Sequence, residues 1–270
     1  MQKSVEIKNK GLTLRGMVHT PQIITGRIPL VCLFHGFMGN KAEQHFIFVK
    51  LSRILENIGI ASVRFDFDGS GESDGNFVDM TMSKELDDAR AILNYAKSLD
   101  FVDTSKIAVL GISMGGAVAS MLAGECKDDI KALCLWAPAG NMGELVMTGR
   151  SENDINGLKE RGYYDLDGFA VGKDFVEDVL KLDIFGIAAP YDKNVLIIHG
   201  TEDKSVPFTI SERYGEIYGT KAVIHAVKGS DHTFDSKEWE DETLEYTAGF
   251  LDGELKNNIW LHTFGAINKE

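Results

Sequence analysis

Hydrophobic and polar positions change their rhythm along this chain. Val5 and Ile7, then Leu12, Leu14, Gly16 and Val18, alternate with polar neighbours around Asn9-Lys10-Gly11. That period of two predicts a pair of antiparallel strands joined by a turn. From Pro29 the pattern becomes a series of short, wholly apolar runs at 30–34, 61–65, 107–110, 132–136, 195–198 and 222–227. The first three close at His35-Gly36, at Asp66 and at Gly111, and stretches near 42–57, 82–99 and 114–124 have the spacing of helices. Strands buried on both faces read as continuous apolar runs, and their alternation with helices implies a mainly parallel sheet. The expected fold class is therefore α/β, with an eight-stranded sheet and helices on both faces.

One stretch breaks the rhythm. About 55 residues separate Pro138 from Asn194, where a crossover needs roughly 10–20. A short helix is expected near 142–147, a Gly-punctuated hairpin around 163–169 and a second helix over 175–182. These patterns predict a structured insertion, residues 140–193, between core segments 1–139 and 194–255. The tail, 256–270, contains Trp260 and Phe264 and fits either packing on the body or standing free.

Gly111-Ile112-Ser113-Met114-Gly115-Gly116 carries the chemistry. An apolar strand precedes it and a small-residue helix follows, the context in which a strained turn projects a serine hydroxyl above a sheet. The helix start behind Ser113 adds free N–H groups and the positive end of a dipole. Gly71-Glu72-Ser73-Asp74-Gly75 fits the same short pattern, but acidic residues surround Ser73 and no helix starts there. Ser113 is the expected nucleophile, and Ser73 a loop residue.

A nucleophilic serine needs a base, and the base an orienting acid. Catalytic groups in open α/β sheets lie beyond the carboxyl ends of strands. His232, in Lys228-Gly229-Ser230-Asp231-His232-Thr233-Phe234, follows the last strand and is the expected base. His199 and His225 lie within strands and His19 in the opening hairpin, so these are expected to point into packing or solvent. Asp203 follows the preceding strand and is the expected acid, with Glu202 its nearest competitor. The order Ser, Asp, His is the one such sheets use. Backbone N–H groups of Phe37, in His35-Gly36-Phe37-Met38-Gly39, and of Met114 are the expected oxyanion donors. His35 ends a strand ahead of the serine and is read as bracing its loop.

Composition narrows the rest. The net charge of -13 over 270 residues argues against nucleic acid and against anionic membrane surfaces. Cys32, Cys126 and Cys134 have no metal-ligand spacing, and two of them sit in apolar strands. No metal or other cofactor is implied. Neither a leader nor a transmembrane run stands out, so a cytoplasmic location is expected. A small-molecule partner is expected, and a homodimer is compatible with the chain.

HGFMGN, GISMGG, GTEDKSVP and GSDHTF, in that order, resemble the α/β-hydrolase superfamily over roughly residues 5–255. More narrowly, RFDFDGSGESDG and the insertion after WAPA resemble bacterial cinnamoyl (feruloyl) esterases. That resemblance implies an α/β-hydrolase fold whose insertion is a lid forming the acyl or phenolic pocket. It implies a serine carboxylester hydrolase for hydroxycinnamate or related small esters, with polar lid residues holding a phenol. Glu144 falls where an acidic lid residue is expected, and Phe175 stands at the place of a polar aromatic. Tyr164, with an apolar ring and a polar tip, suits an aromatic pocket. An acyl-peptide or monoacylglycerol-type lipid hydrolase would use the same triad, and a non-catalytic binding module would keep the fold.

Overall fold

Each central strand divides its apolar side chains between two layers of helices, which is why its sequence shows no polar alternation. In the computed structural model, which describes residues 1–148 and 150–256, Leu30, Cys32 and Phe34 of β3 (Ile28–Phe34) enter one core and Val31 and Leu33 the other. The same split runs through β5 (Val102–Ile112), β6 (Ala132–Trp136) and β9 (Val195–Gly200). With β1 (Gln2–Asn9), β2 (Leu12–His19), β4 (Ala61–Phe65) and β10 (Ala222–Val227), the eight strands are ordered β1-β2-β4-β3-β5-β6-β9-β10. Within this sheet, among the described residues, only the β1–β2 and β2–β4 pairings are antiparallel.

One face carries α2 (Met82–Ser98), α3 (Met114–Glu125) and α8 (Thr209–Tyr218); the other carries α1 (Ile47–Asn57) and α9 (Lys237–Lys256). Between β6 and β9 lie α4 (Met142–Leu145), α5 (Glu152–Glu160), the hairpin β7 (Tyr163–Leu166) and β8 (Phe169–Gly172), α6 (Lys173–Val179) and α7 (Ile184–Ala188). α3 is buried from Met114 to Gly124, as a helix apolar all round must be. A Cβ on its Gly124 would lie 1.9 Å from the Ile187 carbonyl oxygen, so only glycine lets α7 pack this closely. Residues 257–270, including Trp260 and Phe264, lie outside the described residues.

Two local readings change. The first helix begins at Ile47, five residues later than the pattern near 42 predicts. Glu43, His45 and Phe46 all adopt positive φ (60°, 42° and 62°), so the preceding segment folds as a loop over the sheet's carboxyl edge. β5 is longer than its apolar run because Val102 pairs with Ile28 ahead of a register shift. Cys32 and Cys134 are buried in the sheet and Cys126 is half-buried; all three are free thiols.

A cluster of carboxylates lies between α2 and the loop after β4. Glu85 is 1% exposed and Asp88 3% exposed, and the Asp68 N–H donates to Asp88 Oδ2 at 2.8 Å. Burial, then the charges of Asp88 and Asp68, raises the Glu85 pKa well above its ordinary value. The folded protein therefore holds a proton that the unfolded chain releases. Stability from this group is complete below the ordinary glutamate pKa and is lost as pH rises through the raised one. Glu85→Gln is expected to raise the melting temperature at pH 8 and to give no gain at pH 4. An equal shift at both pH values would show that Glu85 is not the titrating group.

Candidate functional site

The site begins with backbone strain. Ser113 links β5 to α3 at φ 54° and ψ -123°, a conformation that costs an L-residue about 1–3 kcal/mol. Two glycines make the turn sterically feasible. A Cβ on Gly111 would lie 2.0 Å from the Gly115 oxygen, and one on Gly115 would lie 2.2 Å from the His35 oxygen. The Ser113 N–H donates to the Trp136 carbonyl at 2.8 Å, and its own carbonyl accepts from the Ala117 and Ala139 N–H groups at 3.1 and 2.9 Å. The hydroxyl is left at the carboxyl edge of the sheet.

Two further loops converge there. The Ser113 hydroxyl lies 2.9 Å from His232 Nε2, and His232 Nδ1 lies 2.7 Å from Asp203 Oδ2. The loops carrying Asp203 and His232 are pressed together: a Cβ on Gly200 would lie 2.3 Å from the Ser230 oxygen. Asp203 Oδ1 accepts from the N–H groups of Ser205 and Val206 at 2.8 and 2.9 Å. Its side chain has no exposed surface, whereas that of His232 is 19% exposed. Burial alone would raise the Asp203 pKa, but hydrogen bonds from His199, His232 and Val206 outweigh it and hold the pKa below the carboxylate range. Glu202, the competing acid, is exposed.

Beside Ser113 runs the loop after β3. A Cβ on Gly36 would lie 3.3 Å from Ser113 Cβ, and the Gly36 N–H donates to Glu43 Oε1 at 2.5 Å. His35 is buried; its Nδ1–H donates to the Gly36 carbonyl at 2.9 Å, and its Nε2 accepts from the Phe67 N–H at 3.0 Å. The ring of Phe37 stacks on Phe175 at 5.2 Å and meets Phe77 edge-on at 5.4 Å, and Phe77 meets Phe169 at 4.8 Å. A cleft of about 250 Å³ opens over Ser113, lined by Phe37, Met38, Glu43, Gln44, Phe169 and Thr233 among others. A second cleft, about 420 Å³ and more polar, lies beside His232 between Glu202, Lys204, Ser205, Asp231 and Thr233.

Comparison with known proteins places this geometry. A family described as serine aminopeptidase, S33, matches residues 27–156, a stretch that includes Ser113 and stops before Asp203 and His232. Est1E from Butyrivibrio proteoclasticus, solved with ferulic acid bound, superposes with a TM-score of 0.83 at 29% identity, over 93% of this chain and 99% of that one. The chain has the α/β-hydrolase fold. Among curated relatives, the human mitochondrial palmitoyl-protein thioesterase ABHD10 is 24% identical over 87% of this chain and 77% of its own length. An uncharacterized 31.7 kDa Escherichia coli protein, from the traX-finO intergenic region, is 27% identical over 50% of this chain. The match spans 46% of that protein's length.

The insertion residues expected to line a pocket take three different positions. Glu144 is exposed on α4, Tyr164 is buried under the Arg150 guanidinium at 4.6 Å, and Phe175 has no exposed surface. None of the three is among the residues lining the cleft over Ser113. α6 turns its apolar side onto the body, and the hairpin instead brings Phe169 to the cleft. Sequence reasoning also missed Glu43, Gln44 and Thr233, polar loop residues with no periodicity to mark them. His199, expected in packing or solvent, is fully buried with Nε2 2.9 Å from Asp203 Oδ2. His225 pairs with Glu242 at 2.7 Å, and His19 lies buried beside Arg64. Ser73 Oγ accepts from the Arg15 N–H and donates to the Asp66 carbonyl, within its loop.

The aromatic stack sets an expectation for Phe175→Ala. Removing a fully buried ring costs about 3–5 kcal/mol and frees the loop bearing Phe37. Melting temperature and turnover should therefore fall together, whereas Phe169→Ala at the rim should alter substrate preference with little change in melting. Thermal denaturation of both variants beside steady-state kinetics checks this, and an unshifted melting point for Phe175→Ala would contradict the packing.

Proposed function

We propose that the protein is a serine carboxylester hydrolase that works through an acyl-enzyme on small esters with an aromatic, hydroxycinnamate-type acyl group. The observation that carries this reading is the hydrogen-bonded series Ser113 Oγ, His232 and Asp203, at 2.9 and 2.7 Å. His232 Nδ1–H donates to the carboxylate, which leaves Nε2 free to take the Ser113 proton as the oxygen attacks the ester carbonyl. His232 then returns that proton to the leaving alcohol. Water, activated by the same imidazole, releases the acid and restores Ser113.

The tetrahedral oxyanion is held by the N–H groups of Phe37 and Met114, each worth about 3 kcal/mol in the transition state. Met114 opens α3, and the Phe37 loop lies against Ser113 through Gly36. Residues 140–193 form a lid inserted between core segments 1–139 and 194–255. Its α6 packs on the Phe37 loop and its α7 on α3.

Two features favour an aromatic acyl group. Ferulic acid is bound in Est1E, the structural relative at 29% identity. The cleft over Ser113 combines the rings of Phe37 and Phe169 with the polar ends of Glu43, Gln44 and Thr233, a pairing suited to a ring with a hydroxyl. Its size, about 250 Å³, sits below the usual range of about 300–1,000 Å³ for drug-sized ligands and favours a short acyl group. The polar cleft beside His232 then receives the alcohol. A second reading, an acyl thioesterase, draws on the ABHD10 match over 87% of the chain.

A fluorophosphonate is expected to add once to the protein by intact mass, with no addition to Ser113→Ala. His232→Ala and Asp203→Asn should each lower turnover by orders of magnitude, while Glu202→Gln stays near wild type. In a panel of methyl ferulate, methyl cinnamate, short aliphatic esters, monoacylglycerols and acyl thioesters, the hydroxycinnamates should give the highest kcat/KM. Labelling that persists in Ser113→Ala overturns the nucleophile, and a thioester preference selects the second reading.

A further inference from the structure

Asp203 accepts from two imidazoles at one oxygen. Oδ2 lies 2.7 Å from His232 Nδ1 and 2.9 Å from His199 Nε2. The second ring is buried at the end of β9, with its side chain 0% exposed, four residues before the carboxylate it meets. His199 Nε2 also lies 3.0 Å from the Val206 carbonyl oxygen. Nitrogen facing a carboxylate and a carbonyl has only acceptors before it, so Nε2 carries a proton. Nδ1 lies 2.6 Å from the hydroxyl of Ser211, itself fully buried on α8. A neutral imidazole with its proton on Nε2 satisfies every atom: Ser211 Oγ–H donates to Nδ1, and Nε2–H donates to Asp203 and Val206. The ring of Phe208 packs against the imidazole in a tilted arrangement, 5.4 Å between centres.

We propose that His199 is a positioning residue that sets the geometry and the charge of the acid. This rests on the serine hydrolase reading of Ser113, His232 and Asp203. Two backbone N–H groups fix Oδ1, but a carboxylate held at one oxygen can still tilt about its Cβ–Cγ bond. The Nε2–H of His199, anchored by Ser211, holds Oδ2 in the line of His232 Nδ1. It also takes a share of the Oδ2 charge, so the carboxylate pulls less strongly on the proton of His232. His199 touches neither Ser113 nor the clefts over it. Its effect passes through Asp203 alone.

Substitution separates this role from simple core packing. His199→Leu keeps an apolar body but removes the donor, while His199→Gln keeps an N–H for Oδ2. For His199→Leu, kcat should fall at least tenfold with KM within about twofold of wild type. The acidic limb of its kcat/KM–pH profile should move to higher pH, because a carboxylate relieved of one donor stabilises protonated His232 more. The charged groups that share the cleft beside His232, Glu202, Lys204 and Asp231, are unchanged in these variants. His199→Gln should recover most of the lost kcat and return the limb towards wild type. Ser211→Ala, which removes only the anchor of Nδ1, should shift both quantities in the same direction by a smaller amount. It carries the test if His199→Leu does not fold.

Fluorophosphonate labelling of wild type at Ser113 distinguishes the two levels of the argument. Wild type that is neither labelled nor active overturns the hydrolase reading. Labelled, active wild type whose His199→Leu or Ser211→Ala variant keeps kcat and the pH limb overturns the role of His199 only. Loss of kcat without movement of the limb, or without recovery in His199→Gln, also overturns it.

Discussion

The turn at Ser113 is the constraint on which the rest of the molecule depends. A serine at φ 54° is unfavourable by itself, and it persists only because its surroundings leave no alternative. Gly111 and Gly115 bring backbone within contact distance on both sides, the Trp136 carbonyl fixes the Ser113 N–H, and Ala117 and Ala139 fix its carbonyl. These partners come from β6, from the loop after it and from α3. The central strands and α3 must therefore be packed before the hydroxyl is presented. The two apolar cores do more than stabilise the fold: they hold a strained backbone against relaxation.

The other groups of the site meet the serine through loops at the same edge of the sheet. The loops after β9 and β10 are clamped to each other at Gly200, and the loop after β3 is tied to its own length by Glu43. Asp203 is saturated by four donors and fully covered. His232, by contrast, faces two clefts and retains some solvent exposure. Buried carboxylate, half-open imidazole and the serine hydroxyl at the sheet edge form a gradient from rigid to accessible, the order that the proposed proton relay requires.

Much of this was legible in the sequence because burial on both faces writes itself as unbroken apolar runs. Residues 132–136 mark a strand to the residue, and the spacing of glycines around Ser113 marks its turn. Legibility failed where polar residues adopt special backbone or where a face must be chosen. The pattern near 42–57 reads as one helix, yet positive φ at Glu43, His45 and Phe46 makes its first part a loop. α5 is a polar surface helix without a strong apolar stripe, although the reciprocal cap of Ser151 and Asp154 was its available sign. In the insertion, composition says that Phe175 and Phe169 are apolar but not which of them faces the body. His199 had the period of a strand residue, and nothing local announces that a turn returns Asp203 to its ring.

Phe37, Phe77, Phe169 and Phe175 come from the loop after β3, the turn after β4 and two parts of the insertion. Their ring contacts divide the mouth of the site into two hereditary compartments. Phe37 and Phe175 stack on each other, so a change in size at one is a change in fit for the other, and the two have to drift as a set. Gln44 and Thr233, on separate loops at the rim, carry no such obligation and can vary one at a time. Substitutions at the rim can thus reshape the cleft in small, separate steps, while the Phe37 loop changes fit only together with its partner on α6.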